Sequence, residues 1–356
     1  VSAQREPVAV ALSGGVDSAV AAALVLRAGH PVTAFFARGW SPKESRCDWA
    51  AEERDAMRVA AKLQVPFRSI DLGETYEREV VGPLLDGYRN GRAVNPDVWC
   101  NRAVKFGALL TAARAEGFGA LATGHYARRA ESGGEARLYR GADPAKDQSY
   151  FLWALRQEEL GAARFPVGHL TKSAVRALAA ELGLPVAEKP DSQGVCFVGE
   201  IDFKDFLRAR LRPAPGDAVD ASGAAVGRHD GAALYVPGER VALSGVREDF
   251  AGKPTFVLGQ DVAANRLVVG VAQSTPSGAI EILLSNVSEI APGSFGRAAW
   301  CQMRYRSEPS KVERVSGSSV RLASAEFTPA PGQSAVLYAA DGECLGGGEI
   351  VSWRSG

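Results

Sequence analysis

The sequence predicts an α/β protein: a doubly wound parallel sheet in an N-terminal domain, followed by two small β-rich domains, the last a β-barrel. Three observations predict it. Through residues 7–185 short apolar runs alternate with helix-like stretches, the pattern of repeated βα units. Near residue 208 the texture changes, and "LRPAPGDAVDASGAAVGRHDG" is rich in Pro, Gly and Asp. Beyond it come short β-type runs separated by turn signals. These shifts divide the 356 residues into 1–208, 209–273 and 274–356. A chain of this length exceeds one ordinary core, so several domains are expected.

The elements follow in order. "PVAVAL" reads as a strand and "AVAAALVLRAG" as a helix stopped by Gly29. "PVTAFFA" is a strand, "DWAAEERDAMRVAAKLQ" a helix and "VPFRSIDL" a strand. "NRAVKFGALLTAARAEG" is a helix and "GALATGHY" a strand. Two further helices are read in "DQSYFLWALRQEELGAA" and "TKSAVRALAAELGLP", the second with Thr171 as N-cap and Gly183 as stop. In the β-rich part, "PTFVLGQDV", "NRLVVGV" and "SAVLYAADG" are the clearest strands. Ligands of doubly wound sheets bind beyond the carboxyl ends of the strands. The loops after Leu12, Ala37 and Ala122 should therefore face one crevice.

Composition narrows the function classes. Hydrophobic residues at 46% and charged residues at 23% are those of a soluble globular protein. No apolar run approaches the roughly 18 residues a membrane span needs. The N-terminus leads directly into a strand pattern without a signal-peptide pattern, so a cytoplasmic location and no membrane partner are expected. The five cysteines, Cys47, Cys100, Cys196, Cys301 and Cys344, are odd in number and lack a CxxC spacing. That argues against a disulfide framework and against structural zinc. The formal net charge is zero, so a polyanionic partner must be gripped by local patches.

Between the first strand and the first helix lies "SGGVDS", residues 13–18. Backbone N–H groups at a helix N-terminus attract phosphate. Gly14 and Gly15 let the backbone approach an anion closely, and Ser13 and Ser18 add hydroxyl donors. Asp17 stands where a nucleotide-hydrolysing P-loop would carry lysine, and a bare carboxylate repels phosphate. It fits as a cap of the helix, or with Mg²⁺ bridging it to the anion. A plain N-cap flanked by glycines would look the same locally; the strand before it and the apolar helix after it favour the phosphate reading.

The second chemical stretch is "GRAVNPDVWCNRAVKF". Asn95, Pro96 and Asp97 form a turn, and Cys100 comes just before a helix read as starting near Arg102. A thiol at a helix N-terminus, with Arg102 and Lys105 close by, is expected to have a lowered pKa and a thiolate fraction. Asp97, three residues upstream, could exchange a proton with it. In "KPDSQGVCFVGE", Cys196 follows Gly194 in a polar loop. Cys47, Cys301 and Cys344 read as small buried hydrophobes. Trp99 reads either as a core anchor or as an aromatic neighbour for a base. "RYRSEPSK" places Arg304, Arg306 and Lys311 around Tyr305, a mixture suited to phosphates and stacking, although an exposed strand would read alike.

"SGGVDS" resembles the pyrophosphate loop of the ATP pyrophosphatases, which cleave ATP between the α and β phosphates and adenylate a substrate. Over essentially the whole chain the sequence resembles one branch of that superfamily, the tRNA-specific 2-thiouridylases. The resemblance rests on "ALSGGVDS", "NPDVWCN", "LATGHYAR", "GADPAKDQSYFL", "LTKSAVRALAAELGLPVAEKPDSQGVCFVGE", "PGDAVD", "VGRHDG", "RYRS" and "PGQSAVLY". It implies an adenine nucleotide alpha hydrolase-like N-terminal domain and ATP-dependent thiolation of the wobble uridine, position 34, of tRNA. It places ATP against Ala11, Leu12, Ser13, Gly14, Gly15, Val16, Asp17 and Ser18, the main chain of Ala37, and Gly124. It implies Asn95, Pro96 and Asp97 at the target base, Cys100 as nucleophile, Asp97 as acid/base and Cys196 as persulfide carrier. A redox disulfide between Cys100 and Cys196 follows from those roles. It puts His125, Lys146, Asp147, Gln148, Arg304, Tyr305 and Gln333 at the tRNA.

Mg²⁺ is expected with ATP, with Asp17 the one protein ligand considered. Asp97, Cys100 and Cys196 also form a ligand set for an iron–sulfur cluster carrying the extra sulfide, an alternative that uses the same residues. The implied partners are tRNAs with Lys, Glu and Gln anticodons and a sulfur-relay protein or cysteine desulfurase. The chain departs from the family in Ala37, in "PGER" at 237–240 and in Ser173. An amide-forming pyrophosphatase acting on a small molecule would explain the loop but leave the cysteine pair and the β domains unused. A reading of a different class is a non-catalytic RNA-binding protein with a degenerate nucleotide site, to which absence of ATP binding would point.

Overall fold

The computed structural model describes residues 5–41, 49–191, 203–272, 276 and 278–355. The first sheet contains β1 (Val8–Ala11), β2 (Val32–Arg38), β3 (Phe67–Asp71) and β4 (Ala120–Ala122). Helices α1 (Val16–Arg27) and α2 (Trp49–Leu63) connect its early strands. A hairpin of β5 (Ala127–Ser132) and β6 (Glu135–Arg140) follows, and β7 (Ala163–Arg164) ends the sheet. Its order is β3-β2-β1-β4-β7, all parallel. The apolar runs are nearly continuous because both faces are covered. Val8, Val10, Ala34, Phe36, Ala120 and Ala122 face the core under α1 and α2, while Ala9, Phe35 and Leu121 face the opposite core. That is the strand period of two, read from both sides.

The chain order reverses beside β1, since β2 and β3 lie on one side of it and β4 on the other. A reversal of this kind opens a crevice at the carboxyl ends of the strands. The loops after β1 and β4 flank it.

The middle sheet has the order β10-β11-β8-β9, from β8 (Gly216–Val219), β9 (Ala225–His229), β10 (Phe256–Asp261) and β11 (Arg266–Gly270). The third is a barrel of β12 (Ile280–Glu289), β13 (Trp300–Gln302), β14 (Ser310–Ser316), β15 (Ser319–Leu322), β16 (Ser334–Tyr338) and β17 (Glu343–Ser355). Its order is β12-β15-β14-β13-β16-β17, and β12 pairs with β17 to close the ring of six strands. The expected α/β architecture with β-rich additions and a terminal barrel is therefore present.

Two expectations change. The helix read over 147–163 is broken: a short 3-10 turn spans Ser149–Phe151 and an α-helix spans Gln157–Ala162. Tyr150, Leu152, Trp153, Ala154 and Leu155 are all buried, so the apolar run is enclosed on every side and has no helical stripe. The hairpin β5–β6 leaves little mark on the sequence, because "ARRAESGGEARLYR" is rich in Arg and Glu and buries only Ala127, Ala136 and Leu138. It extends the barrel sheet, Leu138 and Tyr139 pairing with Cys344 and Glu343 of β17. The helix Phe203–Leu211 runs through the expected boundary at 208. One core joins all three parts, from Ala9 and Phe106 through Leu234 and Val257 to Val336 and Tyr338. Trp153, fully buried, donates its indole N–H to Ser334 Oγ of β16 at 3.0 Å.

Candidate active site

The loop after β1 turns at Gly14, whose φ of +78° belongs to the left-handed region that favours glycine. A Cβ there would run into the main chain of Glu52 in α2. Gly15 is the N-cap of α1 and has no side-chain cap. Ser18 Oγ donates to the Gly15 carbonyl at 3.0 Å and accepts from Ser13 N at 3.2 Å, so a hydroxyl ties the loop to the first turn. Gly124, just past β4, comes so close that a Cβ would lie 2.6 Å from Ser18 N and 2.7 Å from the Asp17 carbonyl carbon. Ala37 lies on β2, two residues beyond Phe35, which is the register partner of Ala11. Ala11 to Ser18, Ala37 and Gly124 therefore converge on the reversal point.

Asp17 sits inside the first turn of α1, so it does not cap the helix. Both its oxygens bind Lys172 Nζ, at 2.7 and 2.8 Å, and Tyr126 Oη donates to it at 2.7 Å. In this state Lys172 and Tyr126 occupy the Asp17 carboxylate. Among the described residues no three His, Cys, Asp or Glu side chains could together hold a metal. Lys172 also pairs with Asp191 at 2.8 Å, and Asp191 receives Lys146 and Arg176 at 2.7 Å each. Burial alone would raise the Asp191 carboxyl, but hydrogen bonds and charge from Lys146 and Lys172 hold it well below the usual carboxylate range. Lys189 donates to the Gly14 carbonyl at 3.1 Å and pairs with Asp55 of α2 at 2.7 Å.

The Asn95–Asp97 turn is a helix start. Asn95 is the N-cap, its side chain accepting from Asp97 N at 3.1 Å, and Pro96 is the first helical residue. Cys100 consequently lies beyond the first turn, at the beginning of a wide π-type segment, Cys100–Leu109. This corrects the helix start near Arg102 and, with it, the expected thiolate. The Cys100 thiol is buried, and burial pushes its pKa up; Lys105 opposes that, Asp97 adds to it, and a hydrogen bond with Tyr76 opposes it. Desolvation outweighs the nearby cation, and Cys100 is a thiol in this state. Cys301 and Cys344 are fully buried, each pushed up by burial to about 12, as small hydrophobes should be. Cys196, the Cys100–Cys196 pair and Cys47 lie outside the described residues.

A path of contacts joins the thiol helix to the loop. Lys105 Nζ donates to Asn101 Oδ1 at 2.9 Å and stands 3.5 Å from His125 Nε2. His125 is next to Gly124, is buried, and holds Thr123 Oγ1 at 2.8 Å through Nδ1. Burial, then Lys105, keeps its imidazole neutral, with a pKa well below the ordinary value. Asn101 Nδ2 donates to the Phe151 carbonyl at 3.0 Å, and the Phe151 ring lies 4.5 Å from that of Tyr305. Arg306 lies over Tyr305, exposed Arg304 over Phe327, and Lys311 is exposed on β14. Gln333 reaches the Ala93 carbonyl at 2.8 Å. Trp99 is half-buried against the core, and its indole N–H donates to Glu349 at 3.0 Å.

Residues 146–148 behave differently from one another. Asp147 is buried and accepts from Gly141 N, Ser149 and Arg140. Gln148 accepts from Tyr126 N at 3.0 Å. Lys146 is part-exposed on Asp191. Sequence reasoning assigned no role to Tyr126, Lys172, Lys189 or Asp191. All four stand inside quoted motifs, but their meeting depends on contacts as much as 175 positions apart.

Family models match the chain in three blocks: a tRNA methyl transferase HUP domain over 6–200, a tRNA methyl transferase PRC-barrel domain over 204–271, and an aminomethyltransferase beta-barrel domain over 279–350. The tRNA-specific 2-thiouridylase MnmA of Akkermansia muciniphila is 41% identical over 353 residues, covering 96% of this chain and 98% of that protein. Its namesake in Thermus thermophilus is 43% identical, covering 97% and 94%. The chain belongs to the tRNA-specific 2-thiouridylase family. In this 2-thiouridylase the three matched blocks coincide with the parallel sheet, the middle sheet and the barrel. Among solved structures, the U34-tRNA thiolase NcsA from Methanococcus maripaludis with its 4Fe-4S cluster is 16% identical. It covers 54% of this chain and 61% of its own, at a TM-score of 0.36, a likeness too slight to bear on the chemistry.

Proposed function

We propose that this tRNA sulfurtransferase carries out ATP-dependent 2-thiolation of the wobble uridine, releasing AMP and pyrophosphate. The observation that supports it most is the path from loop to thiol. Gly124 touches the loop backbone, its neighbour His125 meets Lys105, and Lys105 holds Asn101, the residue after Cys100. An adenylated base reached from the loop would thus lie near a sulfur-handling residue.

The uracil C2 oxygen is a poor leaving group. Its attack on the α-phosphorus of ATP, with pyrophosphate departing, converts it into one that leaves as AMP. ATP lies against Ala11 to Ser18, the main chain of Ala37, and Gly124. The wobble base of a single-stranded anticodon loop can be extruded and read along its edges by Asn95, Pro96 and Asp97. Cys196 carries a persulfide. Asp97 accepts the Cys100 proton, and the resulting thiolate attacks Cys196 Sγ. The sulfur–sulfur bond of the persulfide breaks, hydrosulfide is freed to displace AMP from C2, and the two cysteines become a disulfide that an external thiol must reduce. The sulfane sulfur is reduced by two electrons and the cysteine pair is oxidised by two. His125, Lys146, Asp147, Gln148, Arg304, Tyr305 and Gln333 orient the tRNA, which carries a Lys, Glu or Gln anticodon. The donor is a sulfur-relay protein or a cysteine desulfurase.

The test is direct. Protein, ATP with Mg²⁺, a persulfide donor and unmodified tRNA are incubated and the nucleosides analysed by mass. 2-Thiouridine should form, and should be lost in both Cys100→Ser and Cys196→Ser. Thiolation by Cys100→Ser at the wild-type rate would remove the proposed chemistry.

A further inference from the structure

The phosphate loop contains a carboxylate and no cation, yet it must hold the most highly charged part of ATP. The structure supplies cations from elsewhere in the chain. Lys172 begins the helix Lys172–Glu181, and its main-chain N is fixed by Asp143 Oδ2 at 2.9 Å. Its side chain, 13% exposed, lies on Asp17 within the first turn of α1. Lys189 contacts the loop itself at the Gly14 carbonyl. Lys146 and Arg176 stand behind them on Asp191, and Arg58 pairs with Asp55 at 3.4 Å. Five cations, Arg58, Lys146, Lys172, Arg176 and Lys189, thus meet three carboxylates, Asp17, Asp55 and Asp191.

We infer that Lys172 and Lys189 are the pyrophosphate ligands of this site. This rests on the reading that the loop holds ATP. Their flexible stems let each ammonium turn from its resting partner to a phosphate oxygen. Asp17 does not lose its place when Lys172 turns away, because Tyr126 Oη holds one of its oxygens at 2.7 Å. The carboxylate that would repel phosphate in an isolated loop therefore parks a lysine beside the empty cradle. When the uridine oxygen attacks the α-phosphorus and the α–β bond breaks, the leaving pyrophosphate takes the electron pair. Two ammonium groups beside the β and γ phosphates receive that charge.

The experiment compares ATP, pyrophosphate and AMP, because only the first two carry the phosphates in question. Affinities are measured by calorimetry on the full chain as wild type, Lys172→Met, Lys172→Arg and Lys189→Met. Each methionine variant should weaken ATP and pyrophosphate on the order of 10- to 100-fold, the loss of a charge-assisted hydrogen bond, with AMP affected less than about 2-fold. Lys172→Arg should keep most of the ATP affinity. Asp17→Asn/Lys172→Met removes both charges of the pair, guards against an unpaired carboxylate destabilising the fold, and should show the same selective loss. Equal losses for ATP and AMP, or no loss for ATP, would overturn the inference while leaving the nucleotide site standing. A wild-type chain that binds neither ATP nor pyrophosphate would overturn the reading of the loop, and the inference with it.

Discussion

Gln333 of the barrel donates its side-chain amide to the main-chain oxygen of Ala93 at 2.8 Å, 240 positions away. The bond has company: Ala93 N donates to the Pro331 carbonyl at 2.8 Å, and a Cβ on Gly332 would lie 2.6 Å from Ala93 N. The barrel is thus fastened two residues before Asn95, the cap of the helix that carries Asp97 and Cys100. Gln333→Ala should cost about 0.5–1.5 kcal/mol of stability, the net worth of one hydrogen bond. Thiolation of tRNA should fall well beyond that, with ATP affinity unchanged. Steady-state thiolation and calorimetry on the same preparation check both halves.

Burial sets the chemistry of Cys100 more than its charged neighbours do. Iodoacetamide should modify Cys100 in the free protein at least about 10-fold more slowly than an ordinary exposed thiol at pH 7.5, since only the thiolate reacts. The rate should keep rising above pH 9, which steric occlusion alone would not produce. Asp97→Asn removes the nearby negative charge and should move the profile to lower pH; Lys105→Met should move it higher. Peptide mass analysis across a pH series separates Cys100 from the other cysteines.

What the sequence made legible, and what it did not, divides along contact range. The short apolar runs such as Val8, Ala9 and Val10, alternating with helix-like stretches, and the glycines of the loop are local signals, and they lead to the sheet and the cradle. Cys100 shows the opposite case. Its charged neighbours could be read from the sequence, but its desolvation depends on the core packed around it, which no nearby residue announces. Lys172 was read as part of a capped helix, correctly, and its side-chain role escaped because Asp17 lies 155 positions upstream. Asp147 and Gln148 are placed with Lys146 at the tRNA by the family resemblance alone. In the structure the Asp147 side chain binds Arg140, Gly141 and Ser149 and the Gln148 side chain binds Tyr126 N, contacts that no local signal in the sequence announces.

His125 should make stability depend on acid. It is buried beside Phe106 and Phe165 and held by Thr123; burial, and then the charge of Lys105, favour the neutral ring. Its folded pKa lies below the unfolded value near 6.5, so the unfolded chain takes up the proton first. Its stabilising contribution is complete above about pH 6.5 and is lost as the pH falls toward the folded value, at up to about 1.4 kcal/mol per pH unit. Urea unfolding of wild type and His125→Gln at pH 7.5, 6.5 and 5.5, roughly one unit on either side of that pKa, should show the steeper loss only in the wild type. Parallel slopes would mean that the ring takes up its proton as readily in the folded protein as in the unfolded chain.

Gly124 tests the cradle from its other wall. Ala in its place puts a methyl carbon 2.6 Å from Ser18 N and 2.7 Å from the Asp17 carbonyl carbon, and both obstacles are main chain that cannot rotate aside. The first turn of α1 must move away from β4. With it would go the N–H groups that face the anion and the Asp17–Lys172 pair. Overpacking of this kind costs about 1–3 kcal/mol, which a core of this size survives. Gly124→Ala should therefore stay folded, with a lowered melting temperature, and lose affinity for ATP and AMP together, because the whole wall shifts. Lys172→Met should instead lose ATP alone. Calorimetry with both nucleotides on both variants distinguishes a displaced cradle from a missing cation. A Gly124→Ala protein with unchanged affinity for both nucleotides would show that the contact between the β4 loop and α1 does not shape the site.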